Sequence, residues 1–174
     1  MKKIITILLM LLGLNSIAQK SNYIQLGATG YLKSGGSLVG LAVEAGQLNA
    51  NSGFGIGVDA LTQKDNGLFV PIYLHGRYYL GNKPNSQFLL LQSGYTIRNR
   101  NEFNDIEDTR LNNKGGLYLA AGAGFVINKS NPKLALQVKY SMLSTKTTIY
   151  KSDKLRSTTR EMPGFISVFF GVAF

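Results

Sequence analysis

The sequence predicts an all-β fold, an eight-stranded antiparallel transmembrane β-barrel of the up-and-down type. Three observations support this prediction. Apolar residues recur at alternate positions in eight stretches, turn-forming residues separate these stretches, and the connections between them alternate in length. A period of two is the pattern of β-strands, and turn signals at regular spacing between such stretches are typical of all-β folds.

Residues 1–18 are interpreted as a secretory signal peptide that does not belong to the fold. Lys2 and Lys3 form its charged region, residues 4–14 its apolar region, and Ser16-Ile17-Ala18 its cleavage site with small flanking residues. The apolar segment is about half of the ~20 residues that a membrane-spanning helix needs. The barrel domain is therefore expected to comprise residues 19–174.

Composition limits the chemistry that the chain can support. It has no cysteine, which excludes disulfides, thiol nucleophiles and thiolate metal sites. The formal net charge is +10, and without Lys2 and Lys3 there are 17 basic residues against 9 acidic ones. In an exported protein this surplus favours anionic lipid headgroups over nucleic acid as a partner. With one histidine and scattered carboxylates, neither a metal nor a cofactor is expected.

The first four predicted strands are separated by turns rich in Gly, Asn, Ser and Asp. In the first strand, Ile24 and Leu26 alternate with Gln25 and Gly27, and the other three follow the same pattern. The fourth strand contains Pro71, which lacks the N–H that a ladder hydrogen bond requires, so we expect a β-bulge there. These strands are predicted at residues 22–31, 37–47, 53–61 and 68–80.

The last four predicted strands are 86–98, 115–127, 133–150 and 164–174. The polar stretches 99–114 and 151–161 between them are expected to be irregular loops. The connections after the second, fourth and sixth strands are short turns, at 49–52, 81–85 and 128–132. Outer-membrane barrels have an even number of strands, short periplasmic turns and longer outer loops. The parity of the connections therefore places both termini on the periplasmic side.

The two faces of the predicted strands differ in polarity. One face is apolar without any charge, and the other carries Gly, Ala and the ionisable residues. A soluble barrel would show the reverse, so the apolar face is expected to contact lipid. An unpaired buried charge is costly, so the lumen residues are expected to form a polar network. That network comprises Glu44, Asp59, His75, Arg77, Gln92, Arg98, Gln137 and Lys139.

Outward aromatic residues cluster near the predicted strand ends. Such residues form girdles at the two membrane interfaces of transmembrane barrels. We expect one girdle on the periplasmic side and a smaller one nearer the outside. The residues are Phe54, Tyr78, Phe125 and Phe174 on the periplasmic side, and Tyr95 and Tyr140 on the other.

Two segments resemble those of a known family. Val70-Pro-Ile-Tyr-Leu-His-Gly-Arg-Tyr-Tyr79 is similar to a proline-containing strand that ends in two aromatic residues, and the chain ends on Phe174 after alternating apolar residues. After residue 18, the whole chain resembles the small outer-membrane β-barrel proteins of the OmpA/OmpX-like "porin family". The resemblance implies a location in the cell outer membrane. It also implies that the barrel-assembly machinery recognises a C-terminal signal formed by Ile166, Val168, Phe170, Val172 and Phe174.

Three functions remain open at this point. The favoured one is non-enzymatic, a structural or surface-interaction barrel with a filled lumen, because an eight-stranded interior is just wide enough for side chains to fill it. A narrow pore for ions or small solutes is the alternative. A lipid-A-modifying enzyme is the third, with His75 oriented by Asp59 toward Ser93 or Ser141. Ser93 falls on the face opposite to His75, which argues against that enzyme.

The last basic stretch is a candidate membrane contact. Lys151, Lys154, Arg156 and Arg160 could bind phosphates of lipopolysaccharide or other lipid headgroups by charge-assisted hydrogen bonds. The alternative is a solvated loop without a partner. We expect the chain to be a monomer.

Overall fold

The computed structural model describes residues 21–34, 36–49, 51–63, 67–80, 87–104, 109–127, 132–151 and 154–174. The predicted signal peptide and the predicted turn at 81–85 lie outside these residues. The described residues contain no helix long and apolar enough to cross a membrane. They form the strands β1 (Ser21–Leu32), β2 (Leu38–Leu48), β3 (Ser52–Gln63), β4 (Gly67–Tyr79), β5 (Gln87–Asn104), β6 (Thr109–Ile127), β7 (Lys133–Lys151), β8 (Lys154–Glu161) and β9 (Gly164–Ala173).

The strands close into a barrel of eight. Only Met162 and Pro163 separate β8 from β9, and both segments pair with β7. β9 is therefore the eighth strand of the wall, and β8 precedes it at the distal end. From β1 to β7 each strand pairs antiparallel with the next, β9 pairs with β7, and β9 also pairs with β1 to close the sheet. The predicted all-β, eight-stranded, antiparallel up-and-down barrel is therefore confirmed as a fold.

The strands are staggered around the barrel axis. Following paired residues from Ser21 through each neighbouring strand returns to β1 at Tyr31, ten residues farther along. A stagger of this kind requires strands that tilt relative to the axis. We call the end with Ser21 and Phe174 the proximal end, and the opposite end the distal end.

The prediction of two irregular loops was wrong. Beyond the barrel wall, β5 and β6 remain paired with each other, from the pair Asn99 and Lys114 to the pair Asn104 and Thr109. Most of the stretch 151–161 likewise forms β8, which pairs with the distal part of β7. These strands extend past the apolar surface of the barrel, so neither of their faces has to be apolar. Alternation, the signal that reveals a strand in the sequence, is therefore missing while backbone pairing persists.

The predicted bulge at Pro71 was also wrong. Pro71 pairs in register with Thr96, and the β3–β4 register is the same before and after it. The β3–β4 ladder has no pair at Pro71, as expected for a residue without an N–H. The register irregularities instead fall toward the distal end, at Tyr95/Asn99, Gly115/Tyr118 and Ile149/Tyr150.

The outer surface is an apolar belt. We define this belt as the outward positions of β1–β4, β9 and residues 87–97, 117–127 and 134–142, and none of them carries a charged side chain. Its large residues are widely exposed, with Leu41 at 68% and Leu74 at 67%. Most inward positions are buried, and these include Asp59 and Glu44. The fold thus places charged residues inside and apolar residues outside.

Candidate functional site in the barrel lumen

Glu44 is the centre of the polar network in the lumen. Its Oε1 accepts hydrogen bonds from Gln92 Nε2 at 3.0 Å and from the Tyr73 hydroxyl at 3.0 Å. Its Oε2 accepts from Gln137 Nε2 at 3.0 Å and forms an ion pair with Arg77 Nη2. Its side chain is 1% exposed, so these partners replace the water that a carboxylate would otherwise need.

Asp59 is the second buried carboxylate. It accepts from the Tyr31 hydroxyl at 2.6 Å and from the Tyr73 hydroxyl at 2.7 Å. Lys139 Nζ lies 3.9 Å from Asp59 Oδ2 and donates to Gln92 Oε1 at 3.0 Å. The two acidic residues Glu44 and Asp59 thus face the two basic residues Arg77 and Lys139, and the buried charges balance.

Toward the proximal end, the network becomes aromatic. The guanidinium carbon of Arg77 lies 4.8 Å from the ring centroid of Tyr23 and 4.9 Å from that of Phe88, which are cation–π distances. Arg77 Nη2 also donates to Gln25 Oε1 at 2.7 Å. His75 is buried beside it, with Nε2 bound to the Tyr23 hydroxyl. Among the described residues, His75 Nδ1 has no hydrogen-bond partner.

Toward the distal end, the lumen is filled by apolar side chains. We call this group the distal plug. It packs with Tyr31, Tyr73 and Tyr118, whose hydroxyls take part in the polar network. Side chains therefore fill the described lumen at three successive levels: the rings around Arg77, the Glu44 and Asp59 network, and the distal plug. The members of the distal plug are Leu38, Leu61, Phe69, Leu143 and Phe165.

Glycines make room for the large side chains of the lumen. A β-carbon at Gly57 would lie 2.6 Å from Tyr73 Cζ and 2.8 Å from its hydroxyl. Both distances are shorter than van der Waals contact, so Tyr73 reaches Glu44 and Asp59 only because residue 57 has no side chain. By contrast, a β-carbon at Gly30 would meet no atom within 4 Å.

The structure brings most of the predicted lumen residues together, with one exception. Arg98 lies apart, at the distal end, where its guanidinium carbon is 4.4 Å from the ring centroid of Phe69. The lumen residues that share one buried interior are Glu44, Asp59, His75, Arg77, Gln92, Gln137 and Lys139.

The described side chains of the other two predicted groups lie on outer surfaces. In the C-terminal group, Ile166, Phe170 and Phe174 are exposed, and Val168 and Val172 are half-buried. Arg160 is exposed on β8. The side chains of Lys151, Lys154 and Arg156 lie outside the described residues.

Several network members were not predicted. Four tyrosines, Gln25 and the hydrogen-bonded pair Ser141 and Ser167 complete the interior, the last two with a 2.7 Å bond. Alternation places these residues on the inward face, but it does not show which hydroxyl or amide group reaches a buried carboxylate. The tyrosines are Tyr23, Tyr31, Tyr73 and Tyr118.

The geometry does not assemble a nucleophilic triad around His75. Its Nε2 is bound to Tyr23, whereas Asp59 is bound to Tyr31 and Tyr73. Ser93 is exposed on the outer face, and Ser141 accepts a hydrogen bond from Ser167. The described residues also include no group of three or more His, Asp or Glu that could hold a metal ion.

Comparison with known proteins adds no assignment. No protein-family model matches the chain, and a search of curated protein sequences finds no match. The function is therefore inferred from the barrel itself.

Proposed function

We propose that this chain is a non-enzymatic integral protein of the cell outer membrane, with a structural or surface-interaction role and a largely filled polar lumen. One observation carries the proposal: the barrel has its charges inside and an uncharged apolar belt outside. Water would disfavour so large an apolar surface, whereas a bilayer favours it. Transmembrane barrels have this arrangement, with an apolar outward band and a polar interior.

Exposed aromatic residues support a membrane position for the belt. Phe54 and Phe174, at 63% and 58% exposure, lie near the proximal end, and Tyr95 and Tyr140, at 55% and 57%, lie toward the distal end. Aromatic girdles at two heights are typical of membrane barrels. In this proposal the proximal end faces the periplasm, and lipids and lipopolysaccharide surround the belt.

The filled lumen favours a structural barrel over a pore. Arg77 with its flanking rings, the Glu44 and Asp59 network, and the distal plug occupy successive levels of the described interior. A conducting path would require these bonded side chains to separate. An unpaired charge in the lumen would carry a large desolvation cost, which disfavours such opening.

The proposal predicts that the chain is soluble only with detergent or lipid and that it conducts no ions across a bilayer. The purified chain should refold in detergent or lipid vesicles, give β-rich circular dichroism and migrate differently on gels before and after heating. In planar bilayers it should give no steady single-channel steps. Solubility of the folded chain without detergent would refute the membrane assignment, and steady steps would establish the pore instead. The composition of lipid A in cells that express the chain should stay unchanged.

A further inference from the structure

A cavity of about 210 Å³ opens at the distal end of the barrel. Its walls come from residues near the distal ends of β1, β2, β4, β5, β7, β8 and β9, so it lies in the mouth of the barrel. The distal plug lies beneath it, and the cavity is therefore a blind pocket. We call it the distal pocket.

The lower wall of the distal pocket is apolar and buried. Leu38, Phe69, Leu143 and Phe165 line it, and all four belong to the distal plug. The packing of this plug fixes the shape of the wall. An apolar group placed against it would leave water without any change in the plug.

The upper wall of the distal pocket is charged. Lys33, Arg98 and Glu161 line it together with the hydroxyl-bearing Ser34 and Thr145. Two basic residues against one acidic residue give the lining a net charge of +1. Both cations lie near rings of the lower wall, with Lys33 Nζ 5.9 Å from the Phe165 centroid and the Arg98 guanidinium carbon 4.4 Å from that of Phe69.

We propose that the distal pocket binds a small organic carboxylate that carries an apolar group. The carboxylate would lie between Lys33 and Arg98, and the apolar group would pack on Phe69 and Phe165. Ligand sites commonly combine such an apolar wall with a few polar groups that fix orientation. The proposal does not depend on the membrane assignment, because the pocket is formed by the barrel itself.

Charge and size define this ligand class. A carboxylate has a single negative charge, which matches the net charge of the lining. A phosphate monoester carries about −1.5 to −2, so part of its charge would stay uncompensated and its desolvation would cost more. The volume of about 210 Å³ is smaller than typical sites for drug-sized molecules. It suits a single aromatic ring or short alkyl chain attached to the carboxylate.

The test is a titration of the full chain with 3-phenylpropionate, in nanodiscs of zwitterionic lipid or, if the folded chain is soluble without detergent, in buffer. Backbone amide NMR signals of Leu38, Phe69, Thr145 and Phe165 should shift and saturate. Acetate, which lacks the apolar group, and 3-phenylpropanamide, which lacks the charge, should each bind at least about fivefold more weakly. Equal binding of either probe would refute the proposal, as would tighter binding of phenyl phosphate.

Charge variants test the role of the upper wall. Lys33→Ala should weaken binding of 3-phenylpropionate by about fivefold, and Glu161→Gln should strengthen it by a similar factor. Lys114→Ala is the matched control, because Lys114 is an exposed lysine on β6 that does not line the pocket. All three positions have exposed side chains, so the variants should fold. Unchanged affinity in Lys33→Ala would overturn the proposal. Shifts spread over the apolar belt would show partition into lipid and would also overturn it.

Discussion

Glu44 and Arg77 form an ion pair although they belong to strands that are not adjacent. Glu44 lies on β2 and Arg77 on β4, with β3 between them. At the intervening positions β3 presents Gly57 opposite Glu44 and Gly53 opposite Arg77. Because these positions have no side chains, the two charged groups can meet across the inner surface of β3.

The ion pair should be important for stability when only one partner is removed. Glu44→Ala leaves Arg77 buried without its counter-charge, and we expect a loss of about 3–5 kcal/mol in the free energy of unfolding. Urea denaturation in lipid vesicles would measure the loss. Lys114→Ala should change this free energy by less than about 0.5 kcal/mol, since its side chain is exposed.

A double variant separates the cost of leaving one charge buried alone from the energy of the ion pair itself. Glu44→Leu combined with Arg77→Met removes both charges and retains much of the volume, so its loss should be smaller than that of Glu44→Ala. An equal or greater loss in the double variant would mean that hydrogen bonds to Gln92 and Gln137, not the charges, determine the energy.

A methyl group at residue 57 should destabilise the barrel. Gly57→Ala would force the Tyr73 ring away and weaken its contacts with Glu44 and Asp59, at a cost of about 1–3 kcal/mol. Gly30→Ala is the matched control, because its added β-carbon would meet nothing within 4 Å. Urea denaturation of both variants should separate them, and equal stability would argue against the close packing at residue 57.

The proposed bilayer position can be tested on a single strand. Leu74 and Leu68 both face outward on β4, at 67% and 58% exposure, but Leu68 lies near the distal end. Leu74→Lys should cost about 2–4 kcal/mol in a bilayer, and Leu68→Lys at most about 1 kcal/mol, because the cost of a cation falls toward the interface. The free energy of unfolding in vesicles is the measurement. Similar small losses at both positions would be the behaviour of a barrel surrounded by water.

Phe174 is expected to act in assembly more than in the folded state. Its backbone pairs with Ile24 through a 2.9 Å and a 3.4 Å hydrogen bond, which a side-chain substitution leaves in place. Phe174→Ala should therefore reduce the membrane-inserted fraction in cells more than it reduces the stability of refolded protein. Phe54→Ala, another exposed aromatic at the same end, is the control. Equal insertion of the two variants would contradict the assembly signal.

The sequence predicted the faces of the strands better than the contacts between them. Local alternation is sufficient to place Glu44 and Asp59 inside and Leu74 outside. Which tyrosine reaches which carboxylate depends on the stagger of ten residues around the barrel. This stagger results from pairings between residues far apart in the chain. For the same reason, alternation places Arg98 on the inward face but does not give its position along the barrel axis. That position, beside Phe69, separates Arg98 from the central network.

The pairing of β1 with β9 also determines whether the interior hydrogen bonds can form. Gln25 of β1 reaches Gln137 of β7 at 3.2 Å, a contact between residues 112 positions apart, across β9. A slip of one residue would reverse the faces of a strand and move Phe170 toward the lumen. The interior bonds can therefore form fully only when the last strand closes in its native register. Closure in the wrong register would leave buried polar groups without partners, so the polar interior favours the native register in free energy.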